Sequence, residues 1–381
     1  MGFGLVITSG DTLAPMPDGI LQWLVEARVE LELSKPTRFA LRFEDDLCEG
    51  KPAVEGAAQI AANVKIGIFV QRPDALECLV FGPVTKVKSS SVLGGSESWV
   101  EVHGEDRRIE MGRIGVEAKY IGKASAAASS ILSAYQFTPD TQNTLIEYDD
   151  QKIQLTQRGT DLAFLEDVAR RNNMEFWISY AASRTPADDA ITLIQTANLR
   201  TSPPRAQSGD TPQVPALVPD APRVLRVNPP PRDCPSVNKF EARIDYEKPT
   251  AAHGFAMTED EEKKAVDQIV PDPAPVDPEK PVPVSTGVER KAITPPSVTP
   301  EEAFLASDAI TFEQSWFVEV DCSTTLEQAD FVILPHMVVQ VAQAGDRLSG
   351  AYQVMKATHV VTATDHFMDF TLRANGLGGD T

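Results

Sequence analysis

The stretch whose reading decides the fold runs from Ile333 to Arg373. It reads Ile-Leu-Pro-His-Met-Val-Val-Gln-Val (333–341), then Ala-Gly-Asp-Arg-Leu-Ser-Gly-Ala-Tyr-Gln-Val (344–354), Thr-His-Val-Val-Thr (358–362) and Phe-Met-Asp-Phe-Thr-Leu-Arg (367–373). Met337, Val339 and Val341 share one face, and Val338, Gln340 and Ala342 the other. Met368, Phe370 and Leu372 likewise alternate with Phe367, Asp369 and Thr371. Successive side chains of a strand point to opposite faces, so a period of two predicts three or four short strands of a half-buried sheet. Gly345 and Gly350 stand where the chain has to turn, and glycine takes positive φ without steric cost.

The front of the chain carries the same pattern. Val25, Ala27, Val29, Leu31 and Leu33 point one way, against Glu26, Arg28, Glu30 and Glu32. After Ser34-Lys35-Pro36-Thr37, Phe39, Leu41 and Phe43 resume against Arg38, Arg42 and Glu44. This predicts two antiparallel strands with one wet face. Val64, Ile66, Ile68 and Val70 predict another strand. Leu79 to Lys88 predicts one with a bulge or an edge at Gly82-Pro83, because proline cannot donate to a ladder. Ser89 to Ser98, with Gly94-Gly95, reads as a hairpin loop, since no helix follows to make it a phosphate cradle. Trp99 to Asp106 closes this unit.

The period then changes. Ala124 to Tyr135 predicts a short helix of small residues. Leu155 to Asn173 holds a second helix over 161–172. Thr160 is placed to cap it through its hydroxyl, and Asp161 lies by the positive end of the dipole. Leu162, Leu165, Val168 and Ala169 form the buried stripe. Asn172-Asn173 is suited to the left-handed region at the helix end. Met174 to Tyr180 then reads as a strand.

Residues 200–300 hold 20 of the 29 prolines. Thr201–Pro222 and Asp260–Pro300 read as linker or as an extended arm along a neighbour. Between them Phe240, Ala242, Ile244 and Tyr246 alternate with charge and predict a strand. Glu301 to Ser307 predicts a short helical turn, and Trp316 to Val320 a further strand.

The bulk numbers bound the function. At 381 residues the chain is long enough for two or more domains. No apolar run approaches the ~20 residues of a membrane span, and the start lacks the pattern of a secretion signal. A net charge of −20 disfavours direct binding of nucleic acid or anionic membrane. It leaves open simple solubility or an acidic channel wall. Cys48, Cys78, Cys234 and Cys322 are widely spaced, without the Cys-x-x-Cys pairs of a zinc ribbon. The simplest expectation is folding in a reducing cytoplasm.

Chemistry has little foothold. His103, His253, His336, His359 and His366 form no His-x-x-x-His or His-Glu-x-x-His, so no metal site is expected. His359 and His366 flank a predicted turn able to bring them close, and a structural or exposed pair is the favoured reading over a metal site. Gly-x-Ser-x-Gly, Gly-x-Gly-x-x-Gly and Walker loops are all lacking. Carboxylate pairs for sugar hydrolysis cannot be picked from 55 Asp and Glu. The expectation is a non-enzymatic protein without catalytic, cofactor or metal residues.

Three of these stretches resemble the hub proteins of contractile tails: the myophage baseplate hub, the phage late-control D proteins, and the hub region of type VI secretion spike proteins. The most specific is the family's "Thr/Ser-Asp-x-x-Phe-Leu-x-x-Leu-Ala", matched by Thr160, Asp161, Phe164, Leu165, Val168 and Ala169, with Val168 in place of leucine. Asn173 stands where the family usually has glycine. The ending "Ser-Gly-x-Tyr-x-Val" is matched by Ser349 to Val354, including Gly350 and Tyr352, followed by His359 and Leu372-Arg373. The order "Phe-Gly-x-Val-Thr-x-Val, gap, Val-x-Val-x-Gly-x-Asp" is matched by 81–87 and 100–106.

The resemblance implies a mainly β fold with an α+β insert: two small antiparallel β-barrel, tube-like domains plus a helix-containing domain. The first barrel is expected over 1–115, closed so that few strand edges are exposed and within the usual size of a small domain, and the α/β domain over 116–221. The second barrel is expected to be split, over 222–248 and 303–381, around a Pro-rich acidic excursion at 249–302. It further implies a structural baseplate hub of a phage tail or phage-derived injection system. Such a hub is a homotrimer joining a hexameric tail tube protein to a separate trimeric spike protein, beside other baseplate proteins. It continues the central channel, with nucleic acid only as cargo. Its place would be the virion tail baseplate, after assembly in the bacterial cytoplasm. The residues alone leave a second class open, a β-sandwich protein that binds carbohydrate or peptide.

Overall fold

The computed structural model describes residues 4–44, 54–73, 75–92, 97–150, 154–185, 190–202, 223–231, 233–247, 251–257, 263–268, 291–293 and 300–377. The Gly94-Gly95 turn, Cys48 and most of the Thr201–Pro222 linker lie outside these residues.

The front of the chain is a rolled antiparallel sheet. Its strands are β1 (Leu5–Ser9), β2 (Ala14–Pro15), β3 (Leu24–Glu32), β4 (Arg38–Glu44), β5 (Lys65–Gln71), β6 (Leu76–Ser90) and β7 (Trp99–Glu105). Short helical turns α1 (Asp18–Leu21) and α2 (Arg108–Met111) flank them. The hydrogen-bonded order is β1-β5-β6-β7-β4-β3, with β2 beside β1. The interior holds the alternating residues of each strand, among them Val29, Leu41, Phe43, Ile66, Val84 and Val102. Val25 departs from the expected face: the register shifts between Leu24 and Glu26, and Val25 is exposed. A bulge adds one residue and so turns the side chain beyond it to the other face.

Gly82-Pro83 marks a corner. Up to Pro83 strand β6 pairs with β5, and from Val84 onward it pairs with β7. Proline is tolerated there because one ladder ends as the other begins. Glycine is needed because a Cβ at position 82 would meet the backbone of Glu105 and Asp106.

The insert follows with β8 (Gly115–Tyr120), β9 (Gly122–Lys123), α3 (Ala124–Ala134), β10 (Thr138–Thr141), β11 (Glu147–Tyr148), β12 (Leu155–Thr160), α4 (Asp161–Arg171), β13 (Glu175–Arg184) and β14 (Ile191–Arg200). Strands β10, β14 and β13 form a sheet in that order. Helices α3 and α4 cover its core, including Leu132, Leu165, Val168, Phe176 and Leu199. Tyr180, Ala182, Ile191 and Leu193 pack on Phe69, Leu76, Cys78 and Phe81, so the insert sits against the outside of β5 and β6. That contact explains why Ile66 to Val70 are buried without alternation.

The second roll is made from β15 (Val224–Arg226), β16 (Lys239–Ile244), β20 (Val318–Thr325), β21 (Val338–Ala342), β22 (Gly350–Val361) and β23 (His366–Ala374), with a turn α6 (Leu326–Ala329). Between β16 and β20 come β17 (Ala251–Met257), β18 (Lys263–Gln268), β19 (Lys291–Ile293) and α5 (Pro300–Gln314).

Three expectations are corrected here. Asp260–Pro300 is not linker throughout, because β18 and β19 within it pair with β17 in a small sheet. The helical turn expected at Glu301–Ser307 is a 15-residue helix. Its buried residues, including Ala303, Leu305, Ser307 and Phe312, do not follow a clean 3.6 period, which hid its length. The strand expected from Trp316 starts at Val318. Trp316 is instead held edge-on by Phe312, with centroids 5.3 Å apart, and lies under the Arg373 guanidinium.

A buried ion pair pins the insert to the first roll. Arg108 and Asp106 are 3% and 1% exposed at the side chain, with Nη2 to Oδ2 at 2.7 Å. The same guanidinium donates to the Phe176 carbonyl at 2.9 Å and the Lys35 carbonyl at 2.6 Å. Asp106 accepts from the Thr37 amide at 2.7 Å. Removing one member of such a pair strands a buried charge, at a cost of about 3–5 kcal/mol.

Gly82→Ala is expected to lower the unfolding free energy by about 2 kcal/mol, through overpacking against fixed backbone. Gly115→Ala, where a Cβ meets nothing within 4 Å, is the matched control. Chemical denaturation of the two variants checks the contrast; equal midpoints would remove the corner's steric role.

Candidate functional site

The two rolls share one sheet. Strand β22 of the second pairs antiparallel with β3 of the first, Lys356 opposite Glu32 through Val361 opposite Ala27. The Leu33 amide extends this seam to the Met355 carbonyl at 3.0 Å. Val332 and Val361 reach into the first roll's core. The first roll is therefore not the closed barrel expected. Among the described residues no ladder joins β3 to β1, because the β3 edge is taken by β22.

The rolls also repeat one another. Numbered in chain order, the six long strands of the first are joined 1-4-5-6-3-2. The six of the second, β15-β21-β22-β23-β20-β16, are joined 1-4-5-6-3-2 as well. Five strands match in direction too. The first differs, since β1 is antiparallel to β5 whereas β15 is parallel to β21.

The match extends to detail. Strand β6 passes from β5 to β7 with a register shift between Val84 and Lys86. Strand β22 passes from β21 to β23 with a shift between Val354 and Lys356. Just before each, a non-glycine residue sits at positive φ, Asn63 at 65° and His336 at 70°. The Asn63 amide donates to Val84 and the His336 amide to Val354; the Val84 and Val354 amides donate back to Val64 and Met337. Apart from Val-x-Lys in both, the two segments share little sequence. The only prior signal of the repeat was the similar order of apolar strands.

Histidines are buried at the seam. His359 and His366 face each other with Nδ1 and Nε2 2.9 Å apart, and His359 Nε2 lies 2.9 Å from the Ile333 carbonyl. His359 therefore donates through Nε2 and accepts through Nδ1, and His366 donates through Nε2. Its own Nδ1 is buried with no partner among the described residues. Burial pushes His359 down to about 3, helped by His366, and pushes His366 down to about 4. The pair is structural, one of the two readings the sequence favoured. Burial, then Arg108 and Arg373, also hold His336 well below the usual histidine range. It stacks on Trp177 at 3.8 Å, and its Nδ1 lies 2.9 Å from Ser202 Oγ. Gln353 Nε2 donates to the same Ser202 oxygen at 2.8 Å, and Arg373 Nε to Gln353 Oε1 at 2.9 Å. This polar chain fastens the insert to the second roll, and sequence reasoning did not find it because its members lie far apart in the chain.

The motif residues occupy two separate places. Thr160 is the N-cap of α4, accepting from the Ala163 amide at 3.2 Å. The Asp161 carboxylate lies within the first turn and does more than face the dipole. It accepts from the Tyr135 hydroxyl at 2.8 Å and from Gln157 at 2.7 Å, tying α3 to α4. Burial, then Asp161, pushes the Tyr135 phenol up to about 12. Phe164, Leu165, Val168 and Ala169 are the buried face of α4, with Leu162 half-buried beside them. Asn173 sits at φ 53°, ending the helix in the left-handed region. Gly350, at φ 147°, opens β22, and buried Tyr352 donates its hydroxyl to the Leu348 carbonyl at 2.8 Å. Among the described residues no hydrogen bond joins the α4 set to Gly350 or Tyr352.

No three His, Cys, Asp or Glu side chains cluster to hold a metal ion among the described residues. A cleft of about 240 Å³, lined by residues such as Val227, Val237, Phe240 and Leu348, lies at the mouth of the second roll. Ligand pockets generally run from ~300 to 1,000 Å³, so this cleft is small for a binding module.

No protein-family model matches the chain, and no curated protein matches it. Solved structures do. The tail protein from Neisseria meningitidis MC58 aligns over 97% of both chains at 9% identity with a TM-score of 0.63. The 43 kDa tail protein of prophage MuSo2 from Shewanella oneidensis aligns over 97% of both at 10% identity and a TM-score of 0.62. An E. coli component of the type VI secretion system, described as similar to bacteriophage T4 tail proteins gp27 and gp5, aligns over 94% of this chain and 76% of its own at 13% identity, TM-score 0.51. At such identities the likeness is one of fold, and the chain has the mainly β tail-protein fold that its motifs implied.

Two outcomes follow for stability. His359, His366 and His336 are held neutral in the folded chain, so the unfolded chain binds more protons below pH ~6.5. Unfolding free energy should fall as pH drops from about 6.5 toward 4, on the order of 1 kcal/mol per pH unit for each histidine. Denaturation at stepped pH reads this slope, and His366→Asn should make it shallower; an unchanged slope in that variant would release the seam pair from the account. Thr160→Ala should cost about 1 kcal/mol of stability, the usual worth of an N-cap hydroxyl, with Thr160→Ser close to the parent.

Proposed function

We propose that this chain is a structural hub at the baseplate of a contractile tail, in a phage or a phage-derived injection device. Three copies form a ring of six rolls. One side of that ring abuts a six-fold tube and the other a three-fold spike, while the middle continues the channel. The observation that carries this reading is the repeat within one chain. Two rolls with the same 1-4-5-6-3-2 order offer two near-equivalent surfaces per copy, so three copies present six. A closed ring built from repeated contacts is the economical answer to a mismatch between threefold and sixfold partners. The fold likeness to phage tail proteins and a type VI secretion component supports it.

On this reading the work is mechanical, and no bond of a substrate is broken. The net charge of −20 suits a wall past which a polyanion slides without adhering. The site of action is the tail baseplate, alongside tube, spike and other baseplate proteins. The motif residues of α4, with Gly350 and Tyr352, serve as scaffold for the rolls.

Light scattering and native mass spectrometry of the purified chain, alone and mixed with its genomic neighbours, test the proposal. The expected mass is three times that of the chain, with retention of tube and spike proteins. A chain that stays monomeric even in the presence of those partners would overturn it.

A further inference from the structure

The seam within one chain has a counterpart that the single chain leaves open. Strand β22 is paired on both edges over 356–361, by β23 and by β3. Its equivalent, β6, is paired over 84–90 by β7 alone among the described residues. Strand β3 is likewise paired on both edges, by β4 and β22, whereas its equivalent β16 is paired by β20 alone among the described residues. Each roll thus carries the two halves of the same joint, and one half of each is used inside the chain.

We infer that the free edge of β6 pairs antiparallel with β16 of the next copy, in the register of the internal seam. The inference rests on the ring reading above. The ladders fix the correspondence residue by residue. Following β22 to β6 and β3 to β16 through their shared neighbours, the internal pair Ala357–Leu31 becomes Val87–Ile244. Lys356–Glu32 becomes Lys86–Asp245.

The side chains fit this assignment. Ala357 and Leu31 are buried at 0% and 8%, while Val87 is 43% exposed and Ile244 only half-buried. An exposed Val87 opposite a half-buried Ile244, where the internal joint buries its apolar pair, is the expected mark of a joint awaiting its partner. Lys86 and Asp245 bring opposite charges together, as Lys356 and Glu32 do. Lys88 falls opposite Arg243, a like-charged pair, but each has its own carboxylate: Glu101 at 3.7 Å from Lys88, and Asp321 at 2.5 Å from Arg243. An open edge invites such pairing, since among the described residues its amides and carbonyls have no other main-chain partner. The joint is heterologous, β6 of one copy with β16 of the next, and repeats around a ring as the internal seam repeats within each chain.

Cysteine cross-linking tests the register in the full chain, with Cys48 and the exposed Cys234 replaced by serine. Val87→Cys combined with Ile244→Cys should give covalent dimers and trimers under mild oxidation, lost on reduction and lacking in either single variant. Val87→Cys with Glu241→Cys lies three residues out of register, about 10 Å away along the strand, and should give none. Charge exchange gives a second reading: Lys86→Glu and Asp245→Lys should each reduce the trimer, and together restore it. A chain that is trimeric by mass, yet fails to cross-link in register or cross-links equally out of register, overturns this strand pairing and leaves the ring. A chain that stays monomeric with its partners overturns both.

Discussion

One ladder holds the architecture together: the antiparallel pairing of β22 with β3, from Lys356 opposite Glu32 to Val361 opposite Ala27. It turns two rolls, separated in sequence by the whole insert, into one thirteen-stranded sheet. Backbone groups buried away from water must be paired, so neither edge at this seam can be left open where Val29 and His359, both fully buried, lie opposite each other. The apolar cores meet there as well, with Val361 and Val332 packed among first-roll residues. A seam of main-chain bonds sets the angle between the rolls far more rigidly than a contact of side chains would.

The insert is fastened at three points, each by a different kind of force. Apolar packing lays β13 and β14 on the outer face of β5 and β6. The Arg108–Asp106 pair reaches from the first roll to the Phe176 carbonyl. The chain Trp177, His336, Ser202, Gln353 and Arg373 reaches into the second roll. Burying polar groups is costly unless each finds a partner, and the well-paired groups here give directional contacts that apolar packing lacks. The insert therefore braces the joint from outside.

The half-wet strands were legible in the residues because a sheet with one face in water writes a period of two. Val29, Leu31, Phe39 and Leu41, and again Met368, Phe370 and Leu372, are buried as their alternation implied. So was α4, because a capping threonine, an acidic first turn and a 3.6-residue stripe agree with one another. At 66–70 the strand was legible too, and only its burial on both faces under the insert was not. Legibility failed at α5, which lost its stripe within mixed surroundings. Proline content misled at 260–300, since it reports on the backbone of each proline and not on the strands between them.

By itself, then, the order of residues determined the half-wet strands near the two ends of the chain and the capped helix α4, because hydrophobic period and capping are local properties. Only the tertiary structure decided that, among the described residues, no ladder closes either unit on itself, that the two share strand order down to Val84 and Val354, and that β6 and β16 each keep an unpaired edge. Which strand lies beside which depends on main-chain bonds between residues hundreds of positions apart, and those bonds use the same amide and carbonyl at every residue, so they leave no mark in the side chains that a sequence records.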